Sequence, residues 1–582
     1  MHHALDEQVA MMNLRAARQL VAVLVQGGPR DVVISPGARS APLVLALSAH
    51  QQVRTHVVLD ERAAGFVALG LAKAQGRAAV LVCTSGSAGG HYLPAVMEAC
   101  HSLVPLIVVT ADRPEELLHQ GAAQTTEQDG LFHRHVRAAR RLPTPRAQGD
   151  GGPILSAWRL LVGQMVAVAE GSAPGPVHLN APFAEPLVPT PECLARMDAA
   201  EGDAPRPPSL RVEMAPAQPT SQGLEALRAF TEAHPRGVIV CGPLPARPAD
   251  AARTRAIVRL AQALQWPILA DPLSGLRFGA TAAQAPLVLT RYDRLLKMDH
   301  APPPADGVLC LGGLPTSKVL QRWLTRCTGQ VLSVREPGCF EAADALAAMT
   351  VEADVTTLCH SLLAIEPPPA APDGGVEHLA AWQRWDAQGA VSLPDAQGPL
   401  NQASLWPAVL DALPEGSGLH VGSSMPVRGL DTFGGSTAKA LRISANRGLN
   451  GIDGFIATLL GLALGDGRPW LGVLGDLTFL HDVGALQAAR QLDVTATLVV
   501  CNNNGGAIFK GLPVSQHSQI FDRYFRTPQA ADLALLCAAC ACGHEVVYTP
   551  AGLRQAVATA LARPRDRGLH VIEALFDGAA PP

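Results

Sequence analysis

No charge of either sign dominates this sequence: 46 lysines and arginines face 50 aspartates and glutamates, a net of −4 over 582 residues. That near-balance excludes a bulk electrostatic field, and with it a general affinity for nucleic acid or an anionic membrane surface. Any anion-binding site must be built from a few local cations. Long apolar runs are also missing. The best candidate, 455–464, is broken by Thr458 and Gly461, so no membrane span is expected. The N-terminus shows no targeting segment. Its apolar stretch, 20–25, is six residues long and is flanked by Arg15, Arg18 and Arg30, whereas a signal peptide needs a longer stretch and a small-residue cleavage site. The chain reads as cytoplasmic. The twelve cysteines form no framework: Cys83, Cys100, Cys241, Cys310 and Cys501 sit singly in apolar runs, where a reduced thiol acts as a small hydrophobe. Cys537, Cys540 and Cys542 are the one cluster. Without a distant second pair of ligands they are expected in a helix core. Nucleotide signatures are absent too. No G-x-G-x-x-G follows a first strand, and no G-x-x-x-x-G-K-[ST] occurs.

What the chain does have is an apolar fraction of 48% with 16% charged residues, the balance of a well-buried globular protein. Its length exceeds one core; at about 100–200 residues per domain, three domains are expected. Short β-rich runs recur, each ending in a turn and followed by a helical stretch. Runs at 32–34, 78–83, 106–109, 238–241, 308–311, 470–474 and 496–501 lead into Gly-, Ser-, Asp- or Asn-rich turns. Continuous apolar runs separated by helices imply an α/β fold of doubly wound parallel sheets covered on both faces. In such sheets ligands bind at the carboxyl ends of strands, where these turns fall. Two stretches break the pattern: 205–219 with five prolines and 366–375 with four. Read as linkers, they divide the chain into 1–195, 196–375 (a central domain with its flanking linkers) and 376–582.

The sharpest motif lies in the third segment. Gly475-Asp476 closes one strand, Asn502-Asn503-Asn504-Gly505-Gly506 closes the next, and Asn503 follows Asp476 by 27 positions. The interval holds a helix, about 483–491, and the run 496–501, making one βαβ unit whose two loops share a sheet edge. An Asp carboxylate, an Asn oxygen and a main-chain carbonyl suit a hard cation, with two diphosphate oxygens and a water completing an octahedron around Mg²⁺. Gly465-Asp466-Gly467 is a decoy, because Asp466 precedes its strand and belongs at the opposite edge.

This pattern resembles the thiamine-diphosphate enzymes that include pyruvate decarboxylase and acetohydroxyacid synthase. The resemblance implies pyrimidine-binding, central and diphosphate-binding domains, with thiamine diphosphate and Mg²⁺ or Mn²⁺ as cofactors. It makes Asp476, Asn503 and the Gly505 carbonyl the metal ligands. It also implies a homodimer or homotetramer, since active sites in that family form between chains. Thiamine chemistry needs a carboxyl group on the pyrimidine nitrogen, so that the cofactor's imino form can take the C2 proton. Glu61, which follows the run 57–59 and opens a helix over 62–74, stands where related enzymes carry that residue.

Further segments narrow the match: Ser35-Pro36-Gly37-Ala38-Arg39-Ser40, Asp60-Glu61-Arg62, Thr84-Ser85-Gly86-Ser87-Ala88, and Thr110-Ala111-Asp112-Arg113-Pro114 with Gly121-Ala122-Ala123-Gln124. Asp271-Pro272-Leu273-Ser274-Gly275, Ser423-Ser424-Met425-Pro426-Val427-Arg428 and Asn446-Arg447-Gly448 follow in order. Together they resemble the 2-succinyl-5-enolpyruvyl-6-hydroxy-3-cyclohexene-1-carboxylate (SEPHCHC) synthases of menaquinone biosynthesis. Those enzymes decarboxylate 2-oxoglutarate and add the succinyl-semialdehyde carbanion to isochorismate in a 1,4-addition. Two substrates with four carboxylates call for fixed cations, and Arg grips carboxylates bidentately. By resemblance, Ser424 and Arg428 hold the distal succinyl carboxylate, and Arg447 lies near the intermediate. Arg39, Arg113, Gln124 and Lys318 face isochorismate. Ser423, Gly475 and Ile452 contact the cofactor, with Ile452 as the apolar prop beneath it. Four positions depart from the family pattern, Ala38, His91, Val319 and Gln529, and these bear on isochorismate binding rather than on thiamine chemistry. The alternatives are an acetohydroxyacid-synthase-like or simple 2-oxo acid decarboxylase, a non-catalytic binding subunit, which would be expected to lack Glu61, and a nucleotide-binding protein.

Overall fold

The seven apolar runs all become interior strands, each with a neighbour on both sides. The computed structural model describes residues 2–146, 151–201, 215–245, 250–279, 284–339, 347–366, 373–390, 395–563 and 568–576. Of the two expected linkers, 205–214 and 367–372 lie outside the described residues.

The first sheet comprises β1 (Asp31–Ile34), β2 (Arg54–Val57), β3 (Ala79–Cys83), β4 (Leu106–Asp112), β5 (Ala138–Arg141) and β6 (Pro176–Pro182), in the order β2-β1-β3-β4-β6-β5. The second comprises β7 (Gly237–Cys241), β8 (Ile268–Ala270), β9 (Val288–Leu289), β10 (Gly307–Leu311), β11 (Gln330–Arg335) and β12 (Met349–Glu352), ordered β12-β11-β10-β7-β8-β9. The third comprises β13 (Gly418–Val421), β14 (Arg442–Ser444), β15 (Trp470–Gly475), β16 (Thr495–Asn502), β17 (Gly543–Val547) and β18 (Gly568–Leu575), ordered β14-β13-β15-β16-β18-β17. Every pairing is parallel. The α/β class expected from the sequence therefore holds for all three sheets.

Sheets one and three share one strand order. The middle sheet has a different one, the order of dinucleotide-binding folds, whose ligand crevice opens where the order reverses. Here that point lies between β7 and β10, and their following loops bond to each other. Gly242 N–H donates to the Leu311 carbonyl at 3.0 Å and Gly313 N–H to the Pro243 carbonyl at 2.9 Å. A Cβ on Gly242 would stand 1.8 Å from the Gly313 oxygen. Backbone fills the place where a nucleotide's phosphates would lie.

Contacts group the chain into two compact units. One is Met1–Ala215 with Leu460–Asp466 and Gln487–Asp493; the other is Pro216–Leu459, Gly467–Leu486 and Val494–Pro582. In the first, β-branched and leucine side chains of the strands pack with Leu14, Leu20, Leu24, Trp158, Val162 and Met165 from covering helices. The helix Gly152–Ala169 has the length and mean hydropathy of a membrane span, which the run-based reading overlooked because Arg159 interrupts it. Its Trp158, Val162, Met165 and Ala169 are buried in this core, as befits a sheet-covering helix.

Other differences are local. β4 runs on through Thr110-Ala111-Asp112, expected to be a turn, because all seven of its residues find partners in β6. The run 57–59 is not a strand: β2 ends at Val57, and Val57 and Leu59 are 53% and 61% exposed. The helix expected over 483–491 is present as Ala485–Gln491, and a second short helix, Asp476–His481, precedes it. Of the cysteine cluster, Cys537 alone is buried; Cys540 and Cys542 are half-buried at the turn that ends the helix Leu533–Ala539.

One buried titratable group in the first core gives a test. His178 on β6 is 1% exposed, lies 2.8 Å from Thr110 Oγ1 and meets the Phe132 ring edge-on. Burial disfavours its imidazolium and lowers its pKa from 6.5 to about 4. Between those values the unfolded chain binds a proton that the folded chain does not, so stability falls as pH drops through that window. The full loss is on the order of 3 kcal/mol. Replacing His178 by Gln should flatten the decline of the urea midpoint between pH 7 and 4; parallel declines in variant and wild type would contradict this.

Candidate active site

The carboxyl ends of β15 and β16 lie side by side, with Gly475 paired to Cys501. Asp476 opens the helix Asp476–His481 and is 7% exposed. Its Oδ2 accepts the Gly505 N–H at 2.6 Å. Burial pushes its carboxyl pKa up, and the Gly505 amide opposes that rise. Gly505 has φ +116°, and a Cβ there would stand 2.2 Å from the Arg526 carbonyl oxygen, so no other residue fits. Asn502 braces the loop. Its amide donates to Glu573 at 2.6 Å and its oxygen accepts the Asn504 N–H at 3.0 Å.

Next to these sits Asn503, whose Oδ1 is buried and has no hydrogen-bond partner among the described residues. The Gly505 carbonyl accepts the Ala507 amide at 2.8 Å, which leaves one lone pair. A buried carboxylate, an orphaned amide oxygen and a carbonyl are the donors a hard divalent cation takes. No three His, Cys, Asp or Glu side chains cluster among the described residues, so a metal here must use neutral oxygens beside one carboxylate. Gly475 leaves open space where a side chain would project. Asp466 ends the helix Phe455–Asp466, ahead of β15 and away from this edge.

The loop after β13 carries the second group. Ser424 holds φ +70° and ψ −129°, a region L-residues rarely adopt. It precedes the helix Met425–Phe433, and Arg428 folds back to donate to the Ser424 carbonyl at 2.7 Å. Arg428 is half-buried, burial lowers its pKa, and no carboxylate pairs with it among the described residues. Ser423 Oγ donates to the Asn446 carbonyl at 3.3 Å, and the Asn446 amide donates to Thr458 at 2.9 Å. These bonds tie the loops after β13 and β14 together. Arg447 and Ile452 follow, both half-buried. Lys318 is exposed and is the first residue of the helix Lys318–Arg326, capped by Ser317.

In the first unit, Glu61 opens the helix Glu61–Gln75 behind the N-cap Asp60 and is half-buried. Its charge raises the pKa of the buried Cys83 thiol and of Tyr92, though burial is the larger cause for both. The Tyr92 hydroxyl donates toward Ser35 at 3.0 Å. Arg39 and Arg113 are 7% and 8% exposed. Arg39 donates to the Phe183 carbonyl at 3.2 Å and to Glu185 at 2.6 Å. Its Nε is buried without a partner among the described residues. Arg113 donates to Ser85 Oγ and to the Gln124 carbonyl. Burial and, next, repulsion from Arg39 push its pKa down, while Asp112 and Glu185 oppose the fall. Gln124 itself is exposed, with φ +52°.

The sequence did not reveal the polar lattice behind Arg113. Gln128, 1% exposed, accepts the Gly86 N–H at 2.9 Å and donates to Asn180 Oδ1 at 2.9 Å. The Asn180 amide donates to Asp112 at 2.9 Å, and Asp112 accepts the Arg113 N–H at 2.8 Å. The available signal was Asp112 itself, a carboxylate ending a strand that is otherwise apolar but for Thr110. Of the four departures from the family pattern, Ala38, His91 and Gln529 are exposed and Val319 is half-buried.

Comparison with known proteins matches this geometry to one family. Residues 14–131, 211–368 and 439–574 match the thiamine pyrophosphate enzyme N-terminal TPP-binding domain, the middle domain of thiamine pyrophosphate and the C-terminal TPP-binding domain. The chain is similar to the SEPHCHC synthase of Geobacillus kaustophilus, 39% identical, with 96% of this chain and 94% of that one covered. It is similar to that of Chloroflexus aurantiacus, 38% identical with 96% and 94% covered. It is similar to that of Myxococcus xanthus, 39% identical with 98% and 95% covered. Among solved structures, benzoylformate decarboxylase from Polynucleobacter necessarius shares the fold, with a TM-score of 0.70 at 17% identity over 97% of this chain and 99% of that one. The chain belongs to the thiamine pyrophosphate enzymes and, within them, to the 2-succinyl-5-enolpyruvyl-6-hydroxy-3-cyclohexene-1-carboxylate synthase family.

Proposed function

We propose that this chain decarboxylates 2-oxoglutarate and adds the remaining four-carbon unit to isochorismate, giving SEPHCHC and CO2. The observation that carries the reading is two cations that form no ion pair with a carboxylate among the described residues, the buried Arg113 and the half-buried Arg428. A buried or half-buried cation without a counter-charge is costly, and substrate carboxylates supply that charge. The likeness to synthases over nearly the whole chain favours this reading over an acetohydroxyacid-synthase-like or simple decarboxylase.

When bound, thiamine diphosphate supplies a nucleophilic carbon and an electron sink for decarboxylation. Glu61 holds the proton at the pyrimidine nitrogen. Asp476, Asn503 and the Gly505 carbonyl hold Mg²⁺ or Mn²⁺ with the diphosphate, and the open space at Gly475 admits it. Ser423 and Ile452 line the cofactor. Ser424 and Arg428 grip the distal carboxylate of 2-oxoglutarate, and Arg447 lies beside the reacting carbon. Arg39, Arg113, Gln124 and Lys318 orient isochorismate. A homodimer or homotetramer with active sites formed between chains, a cytoplasmic location and the domain divisions 1–195, 196–375 and 376–582 complete the proposal.

Glu61→Gln should keep cofactor affinity and lose turnover by about a hundredfold or more; wild-type turnover would remove Glu61 from the role. Asp476→Ala should abolish the metal dependence of cofactor binding, followed by titrating thiamine diphosphate with and without Mg²⁺. Unchanged metal-dependent affinity would put the cation elsewhere.

A further inference from the structure

The second unit contains a buried carboxylate to which the substrate reading assigns no task. Asp293 lies in the helix Tyr292–Lys297 beyond β9 and is 3% exposed. Both of its oxygens are engaged, and from different directions. Oδ1 accepts the Ser317 hydroxyl at 2.6 Å. Oδ2 accepts the Thr432 hydroxyl at 2.5 Å and the Lys297 ammonium at 2.6 Å.

The two hydroxyls belong to two elements that carry candidate substrate cations. Ser317 is the N-cap of the helix that begins at Lys318, and its Oγ also accepts the Leu320 N–H at 3.1 Å. Thr432 is one turn beyond Arg428 on the helix Met425–Phe433, and its Oγ1 lies 2.9 Å from the Arg428 carbonyl. The neighbouring residues reinforce this second arm. Tyr292 Oη lies 2.9 Å from Asp431 Oδ1, and the fully buried Arg277 pairs with the same carboxylate. One carboxylate therefore fixes where the Lys318 stem leaves its helix and how the Arg428 helix sits against the middle sheet.

We propose that Asp293 is a positioning residue for substrate recognition, setting the spacing between the cation for isochorismate, Lys318, and the cation for 2-oxoglutarate, Arg428. This rests on the functional reading above. Neither arm touches a reacting atom, so its loss moves substrate KM rather than cofactor affinity.

The two arms separate in single variants of the full-length, cofactor-loaded enzyme. KM for 2-oxoglutarate is read from CO2 release and KM for isochorismate from loss of its ultraviolet band. Ser317→Ala should raise the isochorismate KM about tenfold, the scale of a hydrogen bond to a charged group, and leave that for 2-oxoglutarate within about twofold. Ser317→Thr, which keeps the hydroxyl, should restore it. Thr432→Val should do the reverse. Asp293→Asn should resemble Ser317→Ala, because its one remaining oxygen stays with Lys297 and Thr432. Should that variant not fold, the Ser317 and Thr432 pair decides. Variants that lower only Tm, or that raise both KM values equally, overturn the proposal while the function stands. A wild-type protein that releases no CO2 from 2-oxoglutarate overturns both.

Discussion

The hydrogen bond from the Gly505 amide to the Asp476 carboxylate joins the ends of β15 and β16, and the rest of the proposed cofactor site depends on it. Two parallel strands of one βαβ unit bring their carboxyl ends together automatically; they do not by themselves aim the loops at each other. Here the aim comes from a buried carboxylate that needs donors and a glycine whose φ of +116° supplies one. Once that bond forms, Asn503 Oδ1 is left buried and without a partner among the described residues. Such an orphan costs about 1–3 kcal/mol, and a divalent cation that takes it as a ligand offsets this cost. Gly505, pressed against the Arg526 carbonyl, couples the same point to residues more than twenty positions onward.

The proposed substrate recognition follows the same economy of charge. A chain with a net charge of −4 cannot attract carboxylates by bulk field, so the proposed site relies on single cations in partly desolvated places. Arg113 is held by Ser85 and the Gln124 carbonyl, and Arg428 by the Ser424 carbonyl, neutral partners in both cases. Neutral hydrogen bonds orient a guanidinium without quenching its charge. One fully buried ion pair, Arg277 with Asp431, joins the middle sheet to the Arg428 helix.

Much of this was legible in the residues, for a physical reason. Interior parallel strands buried on both faces favour continuous apolar runs, so seven of them stood out, whereas β6, β11, β13 and β18, which carry His, Asn, Ser or Glu, did not. Edge strands escape that demand: Ala138–Arg141 carries Arg140 and Arg141, Gly543–Val547 carries His544 and Glu545, and nothing in their composition marks them. The glycines and Asp of the metal loops were readable because their spacing fits one βαβ unit. Asp293 was not. Its partners Ser317 and Thr432 lie 24 and 139 positions away, and only the packing of two sheets brings them together. Asp112, Gln128 and Asn180 were hidden likewise, since the register of β4 against β6 decides their meeting. The roles proposed for Glu61 and the arginines rest on the family resemblance, which spacing could not supply.

The measurement that tests this account most directly is isochorismate consumption by the purified protein, followed at its ultraviolet band, with thiamine diphosphate, Mg²⁺ and 2-oxoglutarate each omitted in turn. The account predicts loss that requires every component, with CO2 released in equal amount. Release of CO2 from 2-oxoglutarate with isochorismate untouched would contradict it, leaving the thiamine chemistry intact but the acceptor misassigned.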